Sequence, residues 1–270
     1  MIRRAALPLF LLACGTEVTL RGREPEDRPP DDIRNPDTAP PIAICGARPV
    51  PAAPLSPVDF VGELSYDPDE NPLIGWRWTL VATPDGSSAA LPAGAANLPG
   101  FQPDLAGEYV ATLVVTDDAG NQSPPCAAAV NVVPDHALWI ELSWTVGGDD
   151  LDLVLGRVDG SPGADDLCAP GACSHDWGTP SDPTDDPVHA LDDVEGTGPE
   201  LAGILAPEAG TFTVGVADRG TSIRTSDNAV TLRVWVDGQL QWDDTRVIAD
   251  EPAYVPFADI AWPSGVVTSR

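Results

Sequence analysis

The sequence predicts an all-β protein: two β-sandwich domains in tandem, over residues 40–134 and 135–270. Three observations carry that reading. Apolar residues recur with period two in short runs, the pattern of strands with one buried face. Aspartate, glycine and proline stand between the runs in turn combinations. No stretch sustains a 3.6-residue apolar period between caps, so no long helix is expected.

The first 39 residues belong to neither sandwich. Arg3 and Arg4 precede Ala5 to Leu12, an apolar run too short to span a bilayer, and Leu11-Leu12-Ala13-Cys14 closes it. That order resembles the lipobox of bacterial lipoproteins. The resemblance implies a signal peptide over residues 1–13, cleavage before Cys14 and lipid modification of that cysteine. Gly15 stands where an inner-membrane retention aspartate is familiar, so the resemblance further implies an outer-membrane anchor and a cell-surface location. Residues 14–39, rich in proline and charge, hold too little apolar material to offset chain entropy and are expected to form a disordered tether.

In the first sandwich, strands are expected at Ile42–Cys45, Val58–Leu64, Leu73–Leu80, Gly107–Asp117 and Ala127–Val133. Ser65-Tyr66-Asp67-Pro68-Asp69 and Asp118-Ala119-Gly120-Asn121 supply turns between them. These turns, together with Trp76-Arg77-Trp78 and Phe101-Gln102-Pro103-Asp104-Leu105-Ala106-Gly107-Glu108-Tyr109, resemble the PKD (polycystic-kidney-disease) domain. The resemblance implies an immunoglobulin-like sandwich. Val81-Ala82-Thr83-Pro84-Asp85-Gly86 departs from the family's usual Gly-Asp-Gly. Asp67, Asp69, Asp117 and Asn121 are of the type that holds Ca²⁺ or, more commonly, makes side-chain-to-backbone turn bonds. Trp76 and Trp78 are a sugar platform or, more commonly, inward core residues.

The second sandwich opens with Ala137–Val146, after which Gly147-Gly148 suggests a tight hairpin into Asp149-Asp150-Leu151-Asp152-Leu153-Val154-Leu155. Strict alternation there sends the leucines to one face, and Asp150 and Asp152 to the other. Further strands are expected at Gly210–Ala217, at Val230–Val236 with an Asp237-Gly238 turn into Gln239–Trp242, and between Tyr254 and Trp262. Between them, Asp159 to Pro199 is too long for a structureless loop unless something organises it. Asp150-Leu151-Asp152-Leu153, Asp176-Trp177-Gly178, Gly198-Pro199-Glu200, Gly210-Thr211-Phe212-Thr213-Val214 and Trp262-Pro263 together resemble an Asp-rich β-domain of bacterial surface lipoproteins. That resemblance implies a jelly-roll-like sandwich in an extracellular setting and carries no activity.

Two devices suit the long excursion. One is a Ca²⁺ ion, which takes about six to eight oxygens in flexible geometry. Asp150, Asp152, Asp176, Asp192, Asp193 and Glu200 are its expected ligands. The other is a disulfide. Outside the cytoplasm the four cysteines other than Cys14 allow three pairings, of which Cys45–Cys126 and Cys168–Cys173 is the economical one. Cys168, Cys173 and His175 approach a zinc spacing, but an exported protein more often oxidises such a pair.

A net charge of −28 disfavours nucleic acid, because a polyanion offers no counterion release to another. No Gly-x-Ser-x-Gly and no His-Glu-x-x-His is present. The sequence therefore points to a non-enzymatic, Ca²⁺-stabilised surface lipoprotein that binds polysaccharide or another envelope protein. A structural spacer, and a hydrolase or its accessory module, are the alternatives; oligomeric state is not legible.

Overall fold

Alternation and turn chemistry produce sixteen β-strands and no helix among the residues described by this computed structural model, which are 39–158, 167–173, 175–218, 227–249 and 254–270. The signal segment with Cys14, the tether to residue 38, and Asp159, Asp165 and Asp166 lie outside them.

Two three-stranded sheets form the first sandwich. One has the order β1-β2-β4, from β1 (Gly46–Arg48), β2 (Val58–Val61) and β4 (Asn97–Phe101). The other has the order β3-β5-β6, from β3 (Leu73–Ala82), β5 (Gly107–Asp117) and β6 (Cys126–Val132). Strand β5 shows the period-two rule most plainly: Tyr109, Ala111, Leu113 and Val115 are buried, and the first two share a core cluster with Phe60 and Phe101 of the opposite sheet. Each large apolar side chain so buried contributes about 1.5–3 kcal/mol. Trp78 packs its ring 5.7 Å from Phe60 and donates its indole N–H to Ala95 O, so it serves the core. A Cys45–Cys126 disulfide ties the chain just before β1 to the start of β6.

Two details differ from the sequence expectation. Ile42–Cys45 is not a strand, and Ile42 makes only an isolated bridge to Tyr66. The Ser65 hydroxyl accepts the Ile44 N–H at 3.0 Å, in place of a strand neighbour, and lies 2.7 Å from its nearest acceptor, Gly62 O. Strand β4 is the unexpected one. Pro99 and Gly100 (φ 75°) hide it in the sequence, and its edge position is where a sheet tolerates proline.

Two five-stranded antiparallel sheets form the second sandwich. The first runs β10-β11-β7-β13-β14, from β7 (Leu138–Trp144), β10 (Pro187–Leu191), β11 (Glu200–Ile204), β13 (Asn228–Val236) and β14 (Gln239–Ile248). The second runs β16-β15-β12-β8-β9, from β8 (Leu151–Arg157), β9 (Leu167–Cys168), β12 (Gly210–Asp218), β15 (Val255–Trp262) and β16 (Val266–Ser269). Leu138, Ile140 and Leu142 of β7 meet Leu151, Leu153 and Leu155 of β8 across the core.

That meeting corrects the hairpin expected at Gly147-Gly148. Strands β7 and β8 lie in different sheets, and the glycines make the corner between them. Each strand keeps its apolar row on the shared core, now from opposite sides of it. Gly148 turns at φ 83° and donates its N–H to Glu195 O, while the buried Asn228 side chain bonds Thr145, Val146 and Asp149 around the corner. At Asp237-Gly238 the expected hairpin is present, with φ of 48° and 71° as a type I′ turn requires.

Strand β7 is buried on both faces. Its outward residues, Trp139 and Glu141, meet the first sandwich. There Leu105, Trp139 and Leu201 form a small apolar cluster, and Ala106 N–H donates to Glu141.

Candidate metal centre

The site grows from a gap in a sheet. The two-residue strand β9 pairs only with Leu155 and Gly156 of β8. Closer to the start of β8, Leu153 N–H is donated to Glu200 Oε2 of β11, in the opposite sheet. A carboxylate thus closes the sandwich where the strand ladder stops. Glu200 is fully buried, and its Oε1 has no hydrogen-bond partner.

Asp152 and Asp192 converge on it. Asp152 extends from β8 opposite the core leucines and is buried; Asp192 follows directly after β10 and is exposed. One ligand atom from each of Asp152, Asp192 and Glu200 lies within 4.8 Å of the other two. Burial pushes the Glu200 carboxyl up to about 9, with the Asp152 and Asp192 charges adding to the rise. Three acidic groups so close, two of them out of water, cannot all ionise without a counter-charge. A proton on Glu200 or a divalent cation relieves that repulsion.

His189, on β10, stands behind the cluster. Its side chain is 6% exposed, its Nε2 lies 3.6 Å from Glu200 Oε2, and no hydrogen-bond partner meets that nitrogen. Burial lowers the His189 pKa against the pull of Asp192, so the imidazole is neutral at pH 7. The 3.6 Å approach is then neither an ion pair nor a hydrogen bond.

Of the six expected ligands, Asp152, Asp192 and Glu200 converge, while the other three lie apart. Asp150 is buried but precedes β8, on the Gly147-Gly148 corner side. Asp176 is exposed and caps Ser181 N–H at 3.1 Å. Asp193 spends both oxygens on its own loop, accepting from Gly196 N–H and Gly198 N–H at 2.8 Å each. These two short side chains close backbone turns, the local alternative always open to aspartate. The turns of the first sandwich behave likewise, Asp67 Oδ1 accepting from Asp69 and Asp117 Oδ1 from Ala119 and Asn121.

Cys168 and Cys173 are joined as a disulfide, and His175 Nε2 donates to Leu167 O at 2.8 Å, so this trio has no thiolate for zinc. Nothing in the sequence marks His189. A lone histidine on a short strand becomes informative only when the fold sets it beside Glu200.

Asp192 lines two concavities. One, about 520 Å³, is bounded by Pro170, Val188 and His189; the other, about 370 Å³, by Ser88, Thr197 and Pro199. Ser88 belongs to the first sandwich, so the second concavity lies at the junction of the two.

No protein-family model and no curated protein matches the chain. Among solved structures, it is similar to one from a study of carbohydrate-binding modules of the β-sandwich superfamily, at TM-score 0.30 and 14% identity over 86% of this chain and 88% of that one. It is also similar to the endo-fucoidan hydrolase MfFcnA4 of glycoside hydrolase family 107, at TM-score 0.22 and 18% identity over 74% of this chain and 27% of that one. These similarities extend to layered β-structure and nothing finer.

Proposed function

We propose that the chain is a non-catalytic binding protein of the cell envelope, lipid-anchored at Cys14, whose second sandwich is braced by one Ca²⁺ held by Asp152, Asp192 and Glu200. One observation carries the reading: three carboxylates converge within 4.8 Å, and one of them, the fully buried Glu200, has an oxygen with no hydrogen-bond partner. Hard oxygen donors in an irregular, partly exposed setting suit Ca²⁺ better than Mg²⁺, which demands near-octahedral geometry. The ion links β8 of one sheet to β11 of the other, and it orders the end of the Asp159–Pro199 excursion through Asp192.

A shared cation favours binding over catalysis. A glycosidase needs one carboxyl of its pair to hold a proton, and a cation between these three keeps them ionised. The purified protein should melt higher in Ca²⁺ than in chelator. At an ion concentration a hundred times Kd the gain is about 2.7 kcal/mol, worth about 5–10 °C for a chain of this size. An unchanged melting temperature contradicts the reading.

The structural-spacer reading is favoured by a different observation, the junction at Glu141. A buried acceptor shared between the sandwiches fixes their relation, as a rigid stalk needs. A binder requires, in addition, a ligand at the rim.

A further inference from the structure

Resting on the cation reading above, we infer that the ion at Asp152, Asp192 and Glu200 is also a recognition point, and that it takes the paired hydroxyls of a neutral polysaccharide. Coordination is the first argument. Ca²⁺ takes about six to eight oxygens. Three carboxylates supply six at most, and Glu200 Oε2 is engaged by the Leu153 N–H. Positions are left over, and Asp192, the exposed member, sets the direction in which they open. The two concavities that share Asp192 lie on that side.

Charge selects the ligand. Three carboxylates around a divalent ion leave about one negative charge, since the ion's own charge enters the local balance. Asp193 and Glu195 stand in the same rim segment, within a chain of net charge −28. A uronate or sulfated glycan is repelled by such a rim. Hydroxyl oxygens coordinate a hard cation without adding charge, and two on adjacent carbons fill two positions at the entropic expense of one ligand.

The lining of the rim leaves coordination as the source of affinity. Among the described residues, no Phe, Tyr or Trp lines either concavity, so a sugar ring has nothing to stack on there. His189, buried behind Glu200 with an unpartnered Nε2, is the second polar group aimed at the cluster.

Affinity electrophoresis tests this. The protein is run through gels containing mannan, dextran or galactan (neutral), or polygalacturonate (acidic), each with Ca²⁺ and with EDTA, and beside it the variant Asp192→Asn. Cation binding is followed separately by the Ca²⁺-dependent rise in melting temperature. The expected result is retardation by at least one neutral polysaccharide in Ca²⁺, abolished by EDTA and weakened at least tenfold in Asp192→Asn, with no retardation by polygalacturonate. Cation binding without retardation by any neutral polysaccharide overturns the inference and leaves the braced sandwich standing, as does retardation by polygalacturonate alone. Retardation that persists in EDTA likewise overturns it. Failure of the melting temperature to respond to Ca²⁺ removes the underlying cation reading instead.

Discussion

The backbone N–H of Ala106, in the loop before β5, donates to Glu141 Oε1 of β7 at 2.7 Å and joins one sandwich to the other. Trp139 and Trp235 add their indole N–H groups to the same carboxyl group, at 3.3 and 3.0 Å. Three donors thus converge on one side chain that is 1% exposed. Removing it strands all three. Glu141→Ala should cost about 3 kcal/mol or more, since each buried group left unsatisfied costs about 1–3 kcal/mol. Glu141→Gln should cost less, because its amide keeps one good acceptor while turning an NH₂ toward a donor. Chemical denaturation of the two variants checks the order.

The same residue gives a pH dependence. Burial raises Glu141 from 4.5 to about 7, against the three donors and the Arg233 charge. Its folded pKa lies above its unfolded one, so the folded state binds the extra proton between pH 4.5 and about 7. The contribution to stability is therefore complete below pH 4.5 and is lost as pH rises through about 7. The total is on the order of 3 kcal/mol, at about 1.4 kcal/mol per unit. Subtracting the pH–stability curve of Glu141→Gln from that of the wild type, both in chelator, should leave a fall across this window. A flat difference contradicts it.

The two disulfides should differ in worth. Cys45–Cys126 closes a loop with a sequence separation of 81, and Cys168–Cys173 one of 5. Loop entropy then assigns them about 4.5 and about 2 kcal/mol. Paired Cys→Ala variants should melt in that order, Cys45→Ala/Cys126→Ala well below Cys168→Ala/Cys173→Ala.

Much of this fold is legible in the sequence wherever one face of a strand is apolar and the other polar. Strand β5 spans Gly107–Asp117 as its alternation indicates, and Leu151, Leu153 and Leu155 face the core. Partners are harder to read than strands. Alternation says that β7 and β8 each have a buried face, and it does not say whether they share a sheet; Gly147-Gly148 serves a hairpin or a corner equally well. Strands β10 and β11 stay hidden because five residues such as Glu200-Leu201-Ala202-Gly203-Ile204 hold too little pattern. Among the acidic residues, composition marks the right segment, but only tertiary placement separates Asp192, which reaches the cluster, from Asp193, which ties its own loop.

The most direct test of the metal centre is calorimetric titration of the chelator-stripped protein with Ca²⁺, alongside Glu200→Gln, whose amide oxygen can still accept the Leu153 N–H. The account predicts a stoichiometry of about one ion per chain for the wild type and at least a hundredfold weaker binding for the variant, since a buried carboxylate ligand is replaced by a neutral one. A wild type that takes up no ion, or a variant that binds as tightly as the wild type, contradicts it.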